Sequence, residues 1–450
     1  MQTSFTLAQL ADPDIAEADK ILRTCVHCGF CTATCPTYVL LGDELDSPRG
    51  RIYLIKDMLE HDRPATAEVV KHIDRCLSCL ACMTTCPSGV HYMHLVDHAR
   101  AHVEQTYRRP WTDRVMRALL ATVLPHPARF RAALRAGAVG RLFAPLFDAI
   151  GLTQIAAMLC LVPARLPANE VQAPRVFPAQ GIRKARVALL QGCAQQVLAP
   201  SINAAAIRVL TRLGIEVVLA EGEGCCGSLV HHMGREGQAL AQARTNIDAW
   251  VREAERDGLD AIVITASGCG TTVKDYGFML RDDPDYAKKA AQTSALARDI
   301  SEFLAALGID FRQIRAPVPG LTVAYQSACS LQHGQKITRQ PKDLLAKCGF
   351  AVRDVPEGHL CCGSAGTYNI LQPEIARRLR DRKIENISRT GATVIATGNI
   401  GCMTQLAAAT TVPVVHTVEL LDWACGGPVP DALAGVQGGV NSSGQIAAAT

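Results

Sequence analysis

The sequence predicts an α+β protein of several domains, in which a small α-helical, cysteine-rich N-terminal domain precedes two duplicated α/β units with parallel sheets. Three observations lead to this prediction. Residues 25–86 hold two identical runs of four cysteines. A second pattern of four cysteines occurs twice at an offset of 136 residues, which indicates a duplicated domain. Buried-strand patterns alternate with amphipathic helical patterns in both copies.

The composition is that of a globular protein with an excess of thiols. Of the 450 residues 48% are apolar, and 46 basic residues nearly balance 42 acidic ones, so nothing suggests nucleic-acid binding. The chain has 19 cysteines, and residues 1–20 lack the apolar core of a signal peptide. We therefore expect a cytoplasmic protein whose thiols bind metal rather than form disulfides.

The two N-terminal cysteine runs share one spacing. Each reads C-x2-C-x2-C-x3-C and is followed by proline, a pattern typical of bacterial [4Fe–4S] proteins. Zinc sites usually combine two C-x2-C pairs across a longer loop, so the runs favour two iron–sulfur clusters over two zinc sites. Three cysteines of a run wrap one cluster, and the fourth serves the other. The predicted ligands are Cys25, Cys28, Cys31 and Cys86 for one cluster, and Cys76, Cys79, Cys82 and Cys35 for the other.

Each α/β unit is predicted to contain three strands and two long helices. The strands are 186–190, 216–220 and 261–265 in the first unit, and 321–325, 351–355 and 393–397 in the second. The helices are 201–213 and 238–257, and then 337–347 and 373–389. The cysteines follow the strands, at the carboxyl edge where open parallel sheets bind their ligands.

The repeated cysteines form one quartet in each unit. The first quartet is Cys193, Cys225, Cys226 and Cys269, and the second is Cys329, Cys361, Cys362 and Cys402. The middle of each quartet reads Cys-Cys-Gly-Ser, which we call the CCG motif. Because four cysteines recur in the same order, we predict an iron–sulfur cluster in one or both units. Vicinal disulfides, redox-active thiols and buried thiols are the alternatives.

One further motif is typical of dinucleotide-binding sites, but the acidic residue that usually accompanies it is missing. Gly222, Gly224 and Gly227 form G-x-G-x-x-G, but the next strand ends in no acidic residue. We therefore predict neither NAD nor flavin on this chain. Histidines beside the CCG motifs could tune or ligate a cluster, although core and solvated histidines are commoner; these are His231, His232 and His359.

The remaining segments carry no cysteine pattern. We place the N-terminal domain at 1–99, an arginine-rich helical segment with a proline-containing linker at 100–184, the two units at 185–315 and 316–425, and a disordered tail at 426–450. The apolar stripe of helix 111–124 suits docking on the protein's own domains or on an anionic membrane. Cys160 and Cys348 are expected to be buried thiols.

The order of these motifs resembles the iron–sulfur subunit of bacterial glycolate oxidase, over about residues 15–425. The segments that carry the likeness are RTCVHCGFCTATCPTYVLLGDELDSPRGRIYLIKDMLE, RCLSCLACMTTCPSGVHY and GNIGCMTQL. The iron–sulfur subunit of anaerobic glycerol-3-phosphate dehydrogenase is similar, and the CCG subunit of heterodisulfide reductase is related. In the latter the last cysteine belongs to a C-x2-C pair, whereas Ala266 and Asn399 stand at the earlier position here and leave four thiols per unit.

This resemblance implies a two-[4Fe–4S] ferredoxin-like domain joined to two CCG units that transfer electrons. It implies a hetero-oligomer with an FAD-binding subunit that oxidises glycolate to glyoxylate, a quinone or another acceptor, and a peripheral position on the cytoplasmic face of the inner membrane. Another flavin dehydrogenase, for glycerol 3-phosphate or lactate, and a thiol/disulfide reductase of the heterodisulfide type remain alternatives. Because no general base or flavin site is evident, we expect the chain alone not to oxidise glycolate.

Overall fold

The computed structural model describes residues 1–163, 165–168, 175–308 and 321–434. Its first domain is helical, and helices α1–α7 span Leu7–Leu10, Pro13–Thr24, Pro36–Leu41, Pro48–Glu60, Ala67–Asp74, Ala81–Thr85 and Tyr92–Thr106. Helices α2, α3 and α4 begin with proline, whose missing N–H leaves no donor unpaired in a first turn. The apolar faces of α2, α4, α5 and α7 meet in one core, where Leu22, Ile55, Ile73 and Leu95 are fully buried.

Four further helices form the arginine-rich segment. Helices α8–α11 span Trp111–Val123, Pro127–Gly140, Ala144–Ala149 and Thr153–Cys160. The stripe of α8 is divided, because Met116 and Leu120 pack against side chains of both α/β units, whereas Trp111 and Val115 face solvent. Cys160 is exposed, so its expected burial is wrong: it ends a short helix beyond that helix's buried positions. Residues 164 and 169–174 of the predicted linker lie outside the described residues.

The first α/β unit contains a five-stranded sheet of order β1-β3-β2-β4-β5. Strands β1–β5 are Arg175–Phe177, Ala185–Leu190, Ile215–Leu219, Ala261–Ile264 and Ala297–Asp299. Helices α12–α18 are Gln195–Leu198, Ser201–Arg212, Ser228–His231, Glu236–Asp257, Ser267–Met279, Ala287–Leu296 and Ile300–Ala306. All pairings are parallel except that of β1, which adds an antiparallel edge.

The second unit repeats this sheet without the antiparallel edge, in the order β7-β6-β8-β9. Strands β6–β9 are Thr322–Tyr325, Ala351–Asp354, Val394–Thr397 and Val414–His416, and helices α19–α23 are Gln340–Lys347, Tyr368–Leu371, Pro373–Ser388, Ile400–Ala407 and Thr417–Ala424. A π-helical turn spans Ser330–Gly334. The prediction of duplicated units with parallel sheets is confirmed. The fourth parallel strand of each unit, β5 or β9, was missed because it has three residues and runs directly into a helix.

The two units share one hydrophobic core. Along β2, Val187 and Leu189 face this shared core, and Ala188 and Leu190 face the outer helices of the first unit, as the two-residue period of a strand requires. Helices α13, α18, α19 and α23 fill the space between the two sheets. Both quartets are therefore carried by one rigid support.

Leu433 also belongs to the shared core and is 2% exposed. The tail predicted from residue 426 thus begins too early, because a 3-10 turn at Asp431–Leu433 packs this leucine against the core. Residues 435–450 of that tail, and the predicted boundary between the units at 315/316, lie outside the described residues.

Candidate iron–sulfur centres

The N-terminal cysteines line two adjacent cavities in the arrangement that the spacing predicts. Cys25, Cys28, Cys31 and Cys86 line the first cavity. Cys35, Cys76 and Cys79 line the second, and Cys82 contributes to both. The last cysteine of each run therefore lies with the first three cysteines of the other run. This grouping supports the predicted exchange of fourth ligands.

The backbone of each run is left-handed at the same two positions. His27 and Gly29 have φ of 55° and 86°, and Ser78 and Leu80 have φ of 49° and 62°. Residues other than glycine rarely adopt this backbone conformation, which costs them on the order of 1 kcal/mol or more. The left-handed residues curl each loop tightly enough for its three cysteines to face one cavity. Three soft thiolates from such a loop, together with the fourth from the other run, fit a [4Fe–4S] cluster.

A buried arginine, which the sequence did not single out, lies beside the second cavity. The Arg51 guanidinium is 3.8 Å from the Cys35 Sγ and donates to the His72 carbonyl and the Thr37 hydroxyl. Its charge is balanced by Asp46, which is fully buried and also accepts from His72 and Arg75. The carboxylate is thus occupied by three donors and is a structural anchor of this domain.

The CCG quartets lie at the carboxyl edges of the sheets, as predicted. Cys193 and Cys329 follow the central strands β2 and β6, the CCG motifs follow β3 and β7, and Cys269 and Cys402 stand in the first turns of α16 and α22. The glycine of each motif is required by its surroundings. Gly363 has φ of 86°, and a Cβ placed on it would lie 2.5 Å from the carbonyl oxygen of Ala376.

Thiols within each quartet are close enough to interact directly. The Sγ atoms of Cys362 and Cys402 are 3.5 Å apart. The interaction with Cys361 and then that with Cys402 lower the pKa of Cys362, while the interaction with Cys362 and burial raise the pKa of Cys402. Cys225 and Cys193 show the same opposed pKa shifts in the first quartet. Four thiolates at this spacing require a bound cation, and soft sulfur donors select iron–sulfur clusters or zinc.

Both quartets open onto one cavity of about 330 Å³. Of the eight quartet cysteines, all except Cys225 line it, and Cys79 of the N-terminal domain lines it as well. Its other walls are mainly apolar, with Leu120, Phe130 and Leu159 from the helical segment 111–160. The pseudo-equivalent quartets therefore face each other across an apolar space.

The other sequence motifs near the quartets have structural partners. His231 lies 3.3 Å from the Asp97 carboxylate and ties the first unit to the N-terminal domain, whereas His232 lines the shared cavity. His359 is half-buried outside that lining. The G-x-G-x-x-G segment forms the CCG loop itself, and the Gly224 N–H donates to the Asn246 side chain.

The second quartet packs against the N-terminal domain. Cys329 and Cys361 share a hydrophobic cluster with Leu77 and Tyr368, and Cys79 packs at its border. The Tyr368 hydroxyl donates to the Arg75 carbonyl at 3.0 Å. The packing of Cys79 against the hydrophobic cluster that contains Cys329 could not be derived from local sequence patterns.

Comparisons with known proteins agree with this geometry. Residues 21–90 match the 4Fe-4S dicluster domain, and residues 187–274 and 323–407 match the cysteine-rich domain abbreviated CCG. The glycolate oxidase iron-sulfur subunit of Escherichia coli (strain K12) is 47% identical over 94% of this chain and 99% of its own length. The probable glycolate oxidase iron-sulfur subunit of Bacillus subtilis (strain 168) is 32% identical over 86% of this chain and 88% of its own.

One solved structure shows the same fold. The crystal structure of a hypothetical protein from Helicobacter pylori covers 95% of this chain and 75% of its own, with a TM-score of 0.52 at 11% identity. In the described ranges, no helix has both the length and the apolarity that crossing a bilayer requires. The paired cysteine runs, the facing quartets and the sequence likenesses together show that the chain belongs to the family of glycolate oxidase iron–sulfur subunits, oxidoreductase subunits that transfer electrons through iron–sulfur clusters.

Proposed function

We propose that this chain is the electron-transfer subunit of a glycolate dehydrogenase complex, with an FAD-binding partner subunit that oxidises glycolate to glyoxylate. This oxidation releases two electrons and two protons, and the flavin accepts the electron pair. The observation that carries the proposal is the unbroken series of thiol groups from Cys25 to the CCG quartets. Bound there, two [4Fe–4S] clusters and a cluster in each quartet would supply one-electron transfer.

The order of transfer follows from which thiol groups adjoin. Cys82 lines both N-terminal cavities, so these two sites are neighbours. Cys79 lines the cavity that both quartets share, and it packs against the hydrophobic cluster of side chains that contains Cys329. The Cys25 site is more exposed, because Cys28 lies at the surface. We therefore assign electron entry to the Cys25 site and exit to the quartets.

We assign the acceptor end to the cavity between the quartets. Its mainly apolar walls, which the helical segment 111–160 contributes opposite the quartets, suit the ring of a quinone that lies beside the bound clusters. A quinone that takes two electrons from this chain and two protons from water leaves as a quinol. An apolar cavity in contact with seven quartet cysteines brings the acceptor beside the last electron carriers.

The helical segment that closes this cavity suits peripheral membrane association. Trp111, Leu142 and Leu146 are exposed by 71%, 80% and 58%. Four exposed arginines of the same segment form no ion pair with a described carboxylate; they are Arg114, Arg129, Arg135 and Arg141. Exposed apolar side chains and unpaired cations on one segment favour the surface of an anionic bilayer, and quinones are dissolved in the hydrocarbon of such a bilayer.

The decisive experiment is anaerobic purification of the chain alone and with its co-purifying partners, followed by counts of iron, sulfide and flavin. We expect iron and sulfide without flavin on the isolated chain, and dye reduction by glycolate only when the flavin subunit is present. Lactate and glycerol 3-phosphate serve as matched substrates. Glycolate turnover by the flavin-free chain would refute the proposal, and preference for either control substrate would change the partner's identity.

A further inference from the structure

The two CCG units differ in one buried side chain of the helix that supports the CCG loop. The glycine of each CCG motif packs on the second helix after it, against Ala239 of α15 in the first unit and Ala376 of α21 in the second. The seventh residue after each of these contact points is Asn246 on α15 and Lys383 on α21. A neutral amide and an amine therefore occupy equivalent positions in the duplicated fold.

Asn246 serves the first unit as a neutral brace. Its side chain is fully buried, donates to the Cys225 carbonyl at 2.9 Å and accepts from the Gly224 N–H at 2.7 Å. Both bonds hold the backbone of the CCG loop and bring no net charge to the first quartet.

Lys383 brings a cation to the loop that leads into the CCG motif of the second unit. The residue is 2% exposed, and its Nζ donates to the Glu357 carbonyl at 2.9 Å. The Glu357 carboxylate is engaged elsewhere, by Arg382 at 2.7 Å and Asn386 at 2.8 Å. Among the described residues no carboxylate forms an ion pair with Lys383.

The negative charge that faces Lys383 is that of the second quartet. Burial lowers the pKa of the Lys383 amine, and the four quartet thiols oppose that effect, with Cys329 and Cys362 foremost. A buried cation is tolerated only where an anion compensates it. Four thiolates around an iron–sulfur group meet this need.

We propose that Lys383 raises the reduction potential of the iron–sulfur group held by the second quartet above that of the first, which makes the second quartet the electron sink of the CCG units. The inference rests on the proposed function, because it requires clusters in the quartets. Gaining one electron adds one negative charge, and a nearby cation stabilises that reduced form. The electron comes from the neighbouring Cys76 site, whose Cys79 packs beside the second quartet.

The test is an EPR-monitored redox titration of the full chain, purified anaerobically. Cys362→Ser identifies which signal belongs to the second quartet. Lys383→Met and Lys383→Gln remove the charge, Lys383→Arg keeps it, and Lys347→Met is the matched control, because Lys347 is an exposed lysine of the same unit.

We expect Lys383→Met to lower the reduced-to-oxidised ratio of the second quartet at least tenfold at a fixed ambient potential, which is a shift of about 59 mV for a one-electron couple. The signals of the other sites should keep their potentials, and Lys383→Arg and Lys347→Met should resemble the parent. An iron-loaded Lys383→Met variant with an unchanged potential, or an equal shift at both quartets, would overturn the inference.

Loss of iron from both neutral variants but not from Lys383→Arg would also overturn it, in favour of a purely structural role for the cation. The parent protein could instead show no EPR signal that Cys362→Ser removes, and this result has a different meaning. It would refute the cluster assignment of the proposed function, and the role of Lys383 would fall with it.

Discussion

Replacing Cys35 tests whether the two N-terminal runs exchange their fourth ligands. Cys35 is 6% exposed, and its Sγ lies 3.5 Å from the Asp46 carbonyl and 3.8 Å from the Arg51 guanidinium. Serine is nearly isosteric and can donate to the same carbonyl, so Cys35→Ser should leave the fold intact. Losing one of four ligands should release the cluster of the second run. Because each cluster contains four irons, we expect the N-terminal domain to lose about half of its roughly eight irons.

Two double variants identify the shared cluster without any need to resolve the spectra. If Cys35 and Cys79 hold the same cluster, Cys35→Ser/Cys79→Ser should lose no more iron than Cys35→Ser alone. Cys35→Ser/Cys28→Ser should then lose all of the N-terminal iron, because it removes a ligand from each cluster. Iron counts normalised to protein, with thermal unfolding as a check on folding, provide the assay. The exchange of ligands would be refuted if Cys35→Ser/Cys79→Ser lost all of the N-terminal iron while Cys35→Ser/Cys28→Ser lost no more than Cys35→Ser alone.

Four other predictions test the support around these sites. Asp46→Asn should destabilise the protein by about 3–5 kcal/mol in denaturant unfolding, because it leaves the buried Arg51 charge uncompensated, while the exposed Asp57→Asn should change it by about 0.5 kcal/mol or less. Burial lowers the pKa of His416 to about 4 from 6.5, so the unfolded state binds more protons and stability should fall by roughly 3 kcal/mol as the pH drops from 6.5 to 4; His416→Gln should flatten that profile, and an unchanged slope would contradict it. Cys226→Ser and Cys362→Ser should each lower iron content and slow acceptor reduction but spare the N-terminal clusters, and full iron in both would show ordinary buried thiols. Trp111→Ser with Leu142→Ser should reduce sedimentation with anionic vesicles several-fold, whereas Tyr53→Ser, at an exposed aromatic residue of the N-terminal domain, should not; equal binding by both would remove the helical segment from the membrane contact.

Local patterns were sufficient to predict the chemistry of this chain and the class of its fold. The spacing of the N-terminal cysteines predicts which loop wraps which cluster, because ligand spacing is a property of adjacent residues. The apolar patterns of the strands predicted the ends of β2, β3 and β4, and of β6, β7 and β8 in the second unit, to within one or two residues. The offset of 136 residues between the CCG motifs revealed the duplication. The three-residue strands β5 and β9 were missed, since so short a run shows no period.

Tertiary structure alone decided how these parts face one another. Cys79 and Cys329 are 250 residues apart in the sequence, and only packing of the N-terminal domain on the second unit brings them together. Packing between the two units buries Leu433, and packing of the helical segment on both units divides the stripe of α8 between core and solvent and closes an apolar cavity between the quartets. The helical pattern of the sequence does not distinguish Lys383 from an ordinary charged surface residue. Lys383 is buried because its helix docks against the CCG glycine of the second unit. Cysteine spacing encodes which atoms can hold iron, whereas the route of the electrons depends on distances and charges that no local pattern contains.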